Sequence, residues 1–211
     1  MEPRGICRFC DIVLGLHQYS GIDEPFASND EFFAIASIGA LVEGWTLIIP
    51  KSHQLSMRDK YNSPLFGDFL GPVLSALIHR YGPLIAFEHG ANTEGSITAC
   101  GTAHAHLHLV PFGGSLFREL QNSEMKWIEC HASEIASKSG EHEYLFYTEL
   151  GTKELWQDPV GYLHVLKNPV SQYFRRLIAR RIGQSKVSDY KRFPHLDTAR
   201  QTRSVLASSF A

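Results

Sequence analysis

Polar and apolar residues alternate in the segment GTAHAHLHLVPF, which covers residues 101–112. Histidine takes every second position at His104, His106 and His108, and small or apolar residues stand between and after them. An extended strand directs successive side chains to opposite faces. The pattern therefore predicts a β-strand with three imidazoles on one face and apolar side chains on the other.

Short apolar runs bounded by glycine, proline or polar residues predict three further strands at residues 31–39, 44–51 and 84–90. Strands joined by short connections, with a helix across one face, are typical of an α+β domain. We assign this domain to residues 1–113.

Apolar residues recur at helical spacing between Ser63 and Gly82, which predicts one long helix. Ser63 is a candidate N-cap, and Pro64 suits the first helical position because its missing N–H is not needed there. Pro72 removes a backbone donor within the segment, so we expect a kink or a division of the helix at that point.

The remainder of the chain, residues 114–211, is interpreted as a smaller α/β extension. It contains two predicted strands, at residues 142–150 and 161–167, and a predicted amphipathic helix over residues 170–182. The arginines of this helix are typical of a solvated face, and the alternative is that one or two of them contact a phosphate. They are Arg175, Arg176, Arg180 and Arg181.

The composition is that of an ordinary globular protein, since 44% of the 211 residues are hydrophobic and 20% are charged. A formal net charge of -2 gives no general attraction to nucleic acid or to a membrane surface. No apolar run is long enough to span a membrane, and the first ten residues lack the apolar core of a signal peptide. We therefore expect a cytoplasmic protein without a membrane partner.

Cys7 and Cys10 form a Cys-x-x-Cys pair, which is compatible with a redox motif or with a metal site. Only six residues precede Cys7, too few for the strand that a redox motif normally follows. A tetrahedral zinc site needs two more ligands, and His53 and His104 are the candidates. We therefore expect a structural zinc ion bound by these four residues. The uneven spacing of the four cysteines does not indicate a disulfide framework, and Cys100 and Cys130 are interpreted as core or loop residues.

The segment HAHLHLV, residues 104–110, resembles the signature of the histidine triad superfamily, in which three histidines alternate with apolar residues. The residues CRFC resemble the zinc knuckle at the start of many bacterial members, and GWTLIIPKSH resembles their second strand. Asn92 and Gly95 resemble the Asn-x-Gly motif that precedes the triad. The resemblance covers about residues 6–113, and it suggests no function for the rest of the chain.

The resemblance implies an antiparallel sheet of about five strands with packed helices, commonly in a homodimer. It also implies nucleotidyl hydrolysis or transfer through a covalent intermediate on the middle histidine, which is His106 here. His108 would contact the phosphate oxygens or the leaving group, and a protonated ring there would stabilise negative charge. The implied zinc ligands are the same four residues, Cys7, Cys10, His53 and His104.

The sequence departs from the family pattern at positions that face the substrate. Trp45 replaces a histidine of the second strand, and Ser37 stands where an acidic or amide residue usually holds the ribose hydroxyls. Cys100 and Gly101 replace the Gln and Ser/Thr that usually precede the triad, and Thr102 is the nearest hydroxyl. The candidate substrate-binding residues are Ser37, Asn92, Gly101 and Thr102.

The favoured function is hydrolysis of a nucleoside phosphoramidate or a dinucleoside polyphosphate. Nucleotidyl transfer and nucleotide sensing without turnover are the alternatives, and related transferases usually carry Gln at the position of His108. A nucleic-acid substrate is not expected, because the family members that act on DNA ends carry a further zinc finger. Glu88 and His89 are interpreted either as polar residues at the end of a strand or as substrate contacts.

Overall fold

The computed structural model describes residues 7–210, which form eight β-strands, six α-helices and three short 3₁₀ turns. The strands are β1 (Ala27–Ser28), β2 (Phe32–Ala36), β3 (Thr46–Pro50), β4 (Leu84–Gly90), β5 (Leu107–Pro111), β6 (Ile128–His131), β7 (Tyr144–Gly151) and β8 (Val160–Val165). The helices are α1 (Arg8–Val13), α2 (Pro64–Tyr81), α3 (Phe117–Gln121), α4 (Ile135–Ser139), α5 (Tyr173–Arg181) and α6 (Leu196–Ala207).

All eight strands belong to one sheet in the order β1-β2-β3-β5-β4-β7-β8-β6, and every neighbouring pair is antiparallel. The predicted α+β class and antiparallel sheet are confirmed, but the expected count of about five strands is too low. Five strands lie within residues 1–113, and β7, β8 and β6 then extend the same sheet from the free edge of β4. The division into two units at residue 113 stays a prediction.

The sheet has an apolar layer on each face. The α2 face is packed by alternate residues of the central strands and by the buried side of α2, which includes Phe66, Leu70 and Leu74. The opposite face is covered by α1 and α5. Because strand side chains alternate, this second layer includes Ile85 and Phe87 of β4 and Val110 of β5, and it surrounds the cavity described below.

Helix α2 begins at Pro64 as predicted and is continuous through Pro72. Pro72 is exposed, so the carbonyl group that loses its helical partner there faces water and the helix is not divided. The chain leaves the helix at Gly82, where φ is 82°. Within the described part of the chain, no helix has the length and apolarity needed to cross a membrane.

Several short elements were not predicted from the sequence, and neither were β6 and α6. Strand β6 is short and half-exposed, and α6 lies in a segment that is polar and weakly patterned. The buried face of α6 consists of Ala199, Thr202 and Leu206, and the Thr202 hydroxyl accepts a 2.9 Å hydrogen bond from the Gly44 N–H. Small and hydroxyl-bearing residues let this helix approach the sheet without an apolar stripe that a hydropathy pattern would reveal.

Glu88 points from β4 into the layer under α2 and is fully buried. Its carboxylate accepts hydrogen bonds from the hydroxyl groups of Tyr61 and Tyr144 and from the Met57 N–H, each 2.6 Å long. Three donors therefore satisfy the buried acid, which joins β4, β7 and the loop before α2. The structure thus assigns Glu88 a structural role, away from the cavity on the other face.

We expect Glu88→Leu to lower the free energy of unfolding by about 3 kcal/mol, because it leaves three buried donors without an acceptor. Glu88→Gln keeps one carbonyl acceptor and should cost less. Urea unfolding followed by circular dichroism measures both variants. A loss below about 1 kcal/mol for Glu88→Leu would contradict the structural role.

Candidate active site

A cavity of about 240 Å³ opens on the face of the sheet that α1 and α5 cover. Its walls come from α1, from the residues around β3, from β4, from the segment that leads into β5, and from residues after 171. The side chains used below are Arg8, Phe9, Ser37, Trp45, Phe87, His89, Gly101, Thr102, His106, His108, Gln172, Arg175 and Tyr190.

The histidine segment is only partly a strand. β5 begins at Leu107, where it pairs with Ile48 of β3, so only His108 lies within a regular strand. The preceding residues are held by the Ala105 N–H, which donates a 2.6 Å bond to the Gln54 carbonyl. His106 and His108 line the cavity with ring centroids 4.7 Å apart, whereas His104 turns toward the N-terminal cysteines.

The orientation of His106 is set by a backbone carbonyl. Its Nδ1 lies 2.8 Å from the carbonyl oxygen of His104, and because a carbonyl only accepts, Nδ1 carries the hydrogen. Burial lowers the pKa of His106, so the ring is neutral near neutral pH. A neutral imidazole that is protonated on Nδ1 keeps its lone pair on Nε2, which is the form of a nucleophile.

His108 has the opposite arrangement of its ring nitrogens. Its Nδ1 accepts a 2.9 Å hydrogen bond from the indole N–H of Trp45, and because that indole group only donates, Nε2 of His108 carries the hydrogen. The ring stacks on Phe87 at a centroid distance of 4.4 Å. Burial holds the pKa of His108 well below its usual value, so the structure favours a neutral donor over the protonated ring considered from the sequence.

Cys7, Cys10, His53 and His104 come together beside the cavity as the sequence predicts, with their ligand atoms all within 4.8 Å of one another. Cys7 Sγ lies 3.3 Å from Nδ1 of His104, and Cys10 Sγ lies 3.2 Å from Nδ1 of His53. Ligand atoms on a tetrahedral zinc ion are separated by about 3.3–3.9 Å, so this cluster is close enough to hold a metal ion.

Both imidazoles of the cluster are prepared to bind a metal through Nδ1. The Nε2–H of His104 donates to the Pro50 carbonyl at 2.8 Å, and the Nε2–H of His53 donates to Oε1 of Glu94 at 2.8 Å. Each of these bonds places the hydrogen on Nε2 and leaves the Nδ1 lone pair toward the thiols. Burial also lowers the pKa of His104 to about 4, which keeps this ligand neutral. Glu94 was not predicted from the sequence.

The structure brings three of the four candidate substrate-binding residues to the cavity. Ser37, Gly101 and Thr102 line it. Asn92 does not, because it lies in the exposed loop after β4, where its N–H is 3.5 Å from Oε1 of Glu143. The resemblance of the Asn92 motif to the family pattern therefore does not place this side chain among the residues that line the cavity.

His89 lines the cavity, unlike its neighbour Glu88, because successive residues of β4 face opposite sides of the sheet. Its Nε2 accepts a 3.1 Å bond from the N–H of Tyr173, the first residue of α5. Gln172, Arg175 and Tyr190 also reach the cavity from the C-terminal part of the chain. Gln172 and Tyr190 were not predicted as site residues, whereas Arg175 is one of the four arginines for which a phosphate contact was the alternative. The alternation of side chains along FEHG is the sequence signal that favours His89 over Glu88 as a residue of the cavity.

Tyr190 joins two loops at the rim of the cavity. Its hydroxyl group donates a hydrogen bond to the carbonyl of Cys100, and its side chain lies against Gly39 and Gly101. Both glycines have positive φ, 80° and 89°, and a Cβ atom on either would overlap Tyr190. A second bond, from the Gly39 N–H to the Pro194 carbonyl, fixes the same segment.

Comparison with known proteins gives matches only among solved structures. No protein-family model matches the chain, and neither does any curated protein sequence. A hypothetical histidine triad nucleotide-binding protein from Sulfolobus tokodaii is 21% identical, with 52% of this chain and 71% of that chain covered and a TM-score of 0.40. A HIT family protein from Bacillus anthracis is 23% identical, with coverage of 57% and 93% and a TM-score of 0.39.

The SMU.412c protein from Streptococcus mutans is 22% identical, with 56% of this chain and 81% of that chain covered and a TM-score of 0.37. The first two of these proteins are described as members of the histidine triad family.

We expect the purified chain to bind one metal ion and Cys10→Ser to lose most of it, because only three ligands remain. Glu94→Gln should weaken metal binding about 10- to 100-fold, since His53 loses the acceptor that orients its ring. Elemental analysis and competition with a chromophoric chelator measure these effects. Cys130→Ala and Glu141→Gln are the matched controls outside the cluster, and unchanged metal content in Cys10→Ser would remove the proposed site.

Proposed function

We propose that this chain is a nucleotidyl hydrolase of the histidine triad type, which cleaves a nucleoside phosphoramidate or a dinucleoside polyphosphate through a covalent bond to His106. The observation that carries the proposal is the hydrogen bond from Nδ1 of His106 to the His104 carbonyl, which leaves the Nε2 lone pair of a buried, neutral ring available at the cavity.

The first step is attack of His106 Nε2 on the α-phosphorus. An N–P bond forms, the bond from phosphorus to the leaving group breaks, and the leaving group takes the electron pair. The His106 ring gains positive charge, and its Nδ1–H bond to the His104 carbonyl strengthens as that charge develops. Water then adds to phosphorus, the N–P electron pair returns to Nε2, a proton passes to solvent and the nucleoside monophosphate departs.

His108 assists as a hydrogen-bond donor. A neutral ring with its hydrogen on Nε2 donates to a phosphate oxygen or to the departing atom without transferring a full proton. A leaving group that departs as a phosphate anion needs no proton near neutral pH. Of the two substrate classes, this geometry therefore favours the dinucleoside polyphosphate.

A zinc ion fits the cluster of two thiols and two Nδ1 atoms, and we propose that it has a structural role. When bound, it would join Cys7 and Cys10 of the N-terminal segment to His53 and His104, and it would hold the ring of His104 in place. The residues of the chain then connect this cluster to the reaction: the carbonyl of His104 orients His106, and Phe9 of α1 contacts the His106 ring edge-on at 5.5 Å.

We expect His106→Ala to lower the rate of nucleoside monophosphate release by several orders of magnitude, because no other residue supplies the nucleophile. Adenosine and guanosine phosphoramidates and dinucleoside polyphosphates are the substrates, and chromatography measures the product. His79→Ala, an exposed histidine at the end of α2, is the control.

The same assay distinguishes the alternatives. Mass spectrometry of quenched wild-type protein should show one nucleotidyl group on the peptide that contains residues 101–112. Transfer of the nucleotide to an added phosphate or alcohol would favour a transferase. Nucleotide binding without turnover in the wild type would favour a sensor and overturn the proposed hydrolysis.

We expect Trp45→Phe to lower kcat about 10- to 100-fold, because His108 loses the donor that keeps its hydrogen on Nε2. The ¹⁵N shifts of the His108 ring should change from a single tautomer to a mixture. Trp127→Phe removes an indole bond to Ser123 away from the cavity and is the matched control. A Trp45→Phe protein with an unchanged His108 tautomer and unchanged kcat would contradict this role.

A homodimer and a cytoplasmic location stay predictions from the sequence. Light scattering at low protein concentration measures the first. A mass of one chain would contradict the predicted homodimer. It would be explained if the C-terminal part of the sheet covers the dimer interface.

A further inference from the structure

Arg175 is an unusual residue for the surface of an amphipathic helix, because it is only 6% exposed. Its guanidinium group lines the cavity and lies over the ring of Trp45, with Cζ 5.5 Å from the ring centroid. Nε donates a hydrogen bond to the Ser188 carbonyl, and Nη2 is buried without a hydrogen-bond partner. Part of the binding capacity of this group is therefore unused.

No acidic residue in the described part of the chain forms an ion pair with this buried charge. None of the side chains that line the cavity in residues 7–210 is an aspartate or a glutamate, and Arg175 forms no ion pair there. Asp189 is the acid that acts on the pKa of Arg175 and raises it, but its Oδ1 accepts a 3.0 Å bond from the Lys191 N–H. The other arginine of the cavity, Arg8, is neutralised by the buried Asp23.

Burial lowers the pKa of Arg175 to about 10, so the side chain is still charged near neutral pH. A buried, unpaired charge is expensive, and the cost falls when an opposite charge binds beside it. The chain as a whole carries a formal charge of -2, so this local excess of positive charge is a property of the cavity. An anionic ligand group at Arg175 is the partner that the side chains of the cavity do not supply.

Arg175 lies at a different place from the nucleophile. Arg175 contacts Trp45, Trp45 contacts His108 at a centroid distance of 5.9 Å, and His108 contacts His106 at 4.7 Å. This succession of contacts favours a group bound by Arg175 that is separate from the phosphorus atom beside His106 Nε2. His89 adds a second unused donor, because Nε2 accepts from Tyr173 and the buried Nδ1 has no partner.

We propose that Arg175 binds a second phosphate group of the substrate, separate from the phosphate that His106 attacks. This inference rests on the proposed function for the identity of the first phosphate. The substrate class is then a nucleotide with at least two phosphate groups, the second lying either in the leaving group or on the sugar. It also follows that the C-terminal part of the chain, through α5, determines specificity.

The test compares nucleotides that differ by one phosphate group. Calorimetry on the full metal-loaded chain measures the affinity for a 5′-monophosphate, a 5′-diphosphate and a 3′,5′-bisphosphate of adenosine and of guanosine. We expect one of the two bisphosphorylated forms to bind about 10- to 100-fold more tightly than the monophosphate. The 5′-diphosphate arm represents the leaving-group position, and the 3′,5′-bisphosphate arm represents the sugar position.

Arg175→Gln should reduce this gain to less than about threefold while the affinity for the monophosphate stays within threefold of the wild type. Arg180→Gln, an exposed arginine of the same helix, should keep the full gain. Arg175→Lys retains the charge without the forked donors and should keep part of the gain, so it replaces Arg175→Gln if that variant does not fold.

The outcomes separate this inference from the proposed function. Equal gains in Arg175→Gln and wild type, or no gain in the wild type, would overturn the role of Arg175 and leave the proposed function standing. Inorganic pyrophosphate that binds the wild type but not Arg175→Gln, with no nucleotide binding, would support the anion site and overturn the nucleotide substrate. Binding of none of these probes would overturn both.

Discussion

The candidate site depends on one hydrogen bond, from the Nδ1–H of His106 to the carbonyl group of His104. This bond selects the form of the His106 ring that has a free Nε2. The position of this carbonyl is fixed in turn by the ring of the same residue, which donates to Pro50 at the end of β3 and faces the two thiols. One residue therefore connects the N-terminal cysteines, the sheet and His106, and a displacement of the cysteine and histidine cluster would be transmitted to His106 through the backbone.

Burial determines the chemistry of the three triad histidines. All three pKa values are lowered because the rings lie in an apolar layer beside aromatic side chains. Neutral imidazoles have one donor and one acceptor each, so the partner of one nitrogen decides the role of the other. Carbonyl acceptors leave a lone pair on His104 and His106, whereas the indole donor of Trp45 leaves an N–H on His108. Three hydrogen bonds thus set which ring nitrogen carries the hydrogen in each of the three histidines, and these forms fit the proposed roles of ligand, nucleophile and donor.

Much of this arrangement was predictable from residue spacing, and the rest depends on contacts between distant segments. Alternation and helical periodicity identify β5 and the face of α2, and the Cys-x-x-Cys pair with its need for two more ligands predicts the clustering of Cys7 with His104. The buried side of α6 is not predictable in this way, because Ala199 and Thr202 have no apolar signature. The helix that contains Arg175 is amphipathic, and the sequence favoured a solvated arginine. Contacts with Trp45 and with the Ser188 carbonyl, both distant in sequence from this part of the helix, bury the guanidinium group, and no local pattern reports those contacts.

The position of Tyr190 late in the chain has a consequence for the order in which the parts of the cavity are synthesised. The cavity combines Arg8 and Phe9 of α1 with a tyrosine that follows about 180 residues later and that holds the loops at Gly39 and Gly101. During synthesis the sheet strands β1–β5 are complete long before this tyrosine leaves the ribosome. The part of the cavity wall formed by α1 and β3–β5 is therefore synthesised before the residue that holds the loops at Gly39 and Gly101, and the cavity is complete only after residue 190 has been added.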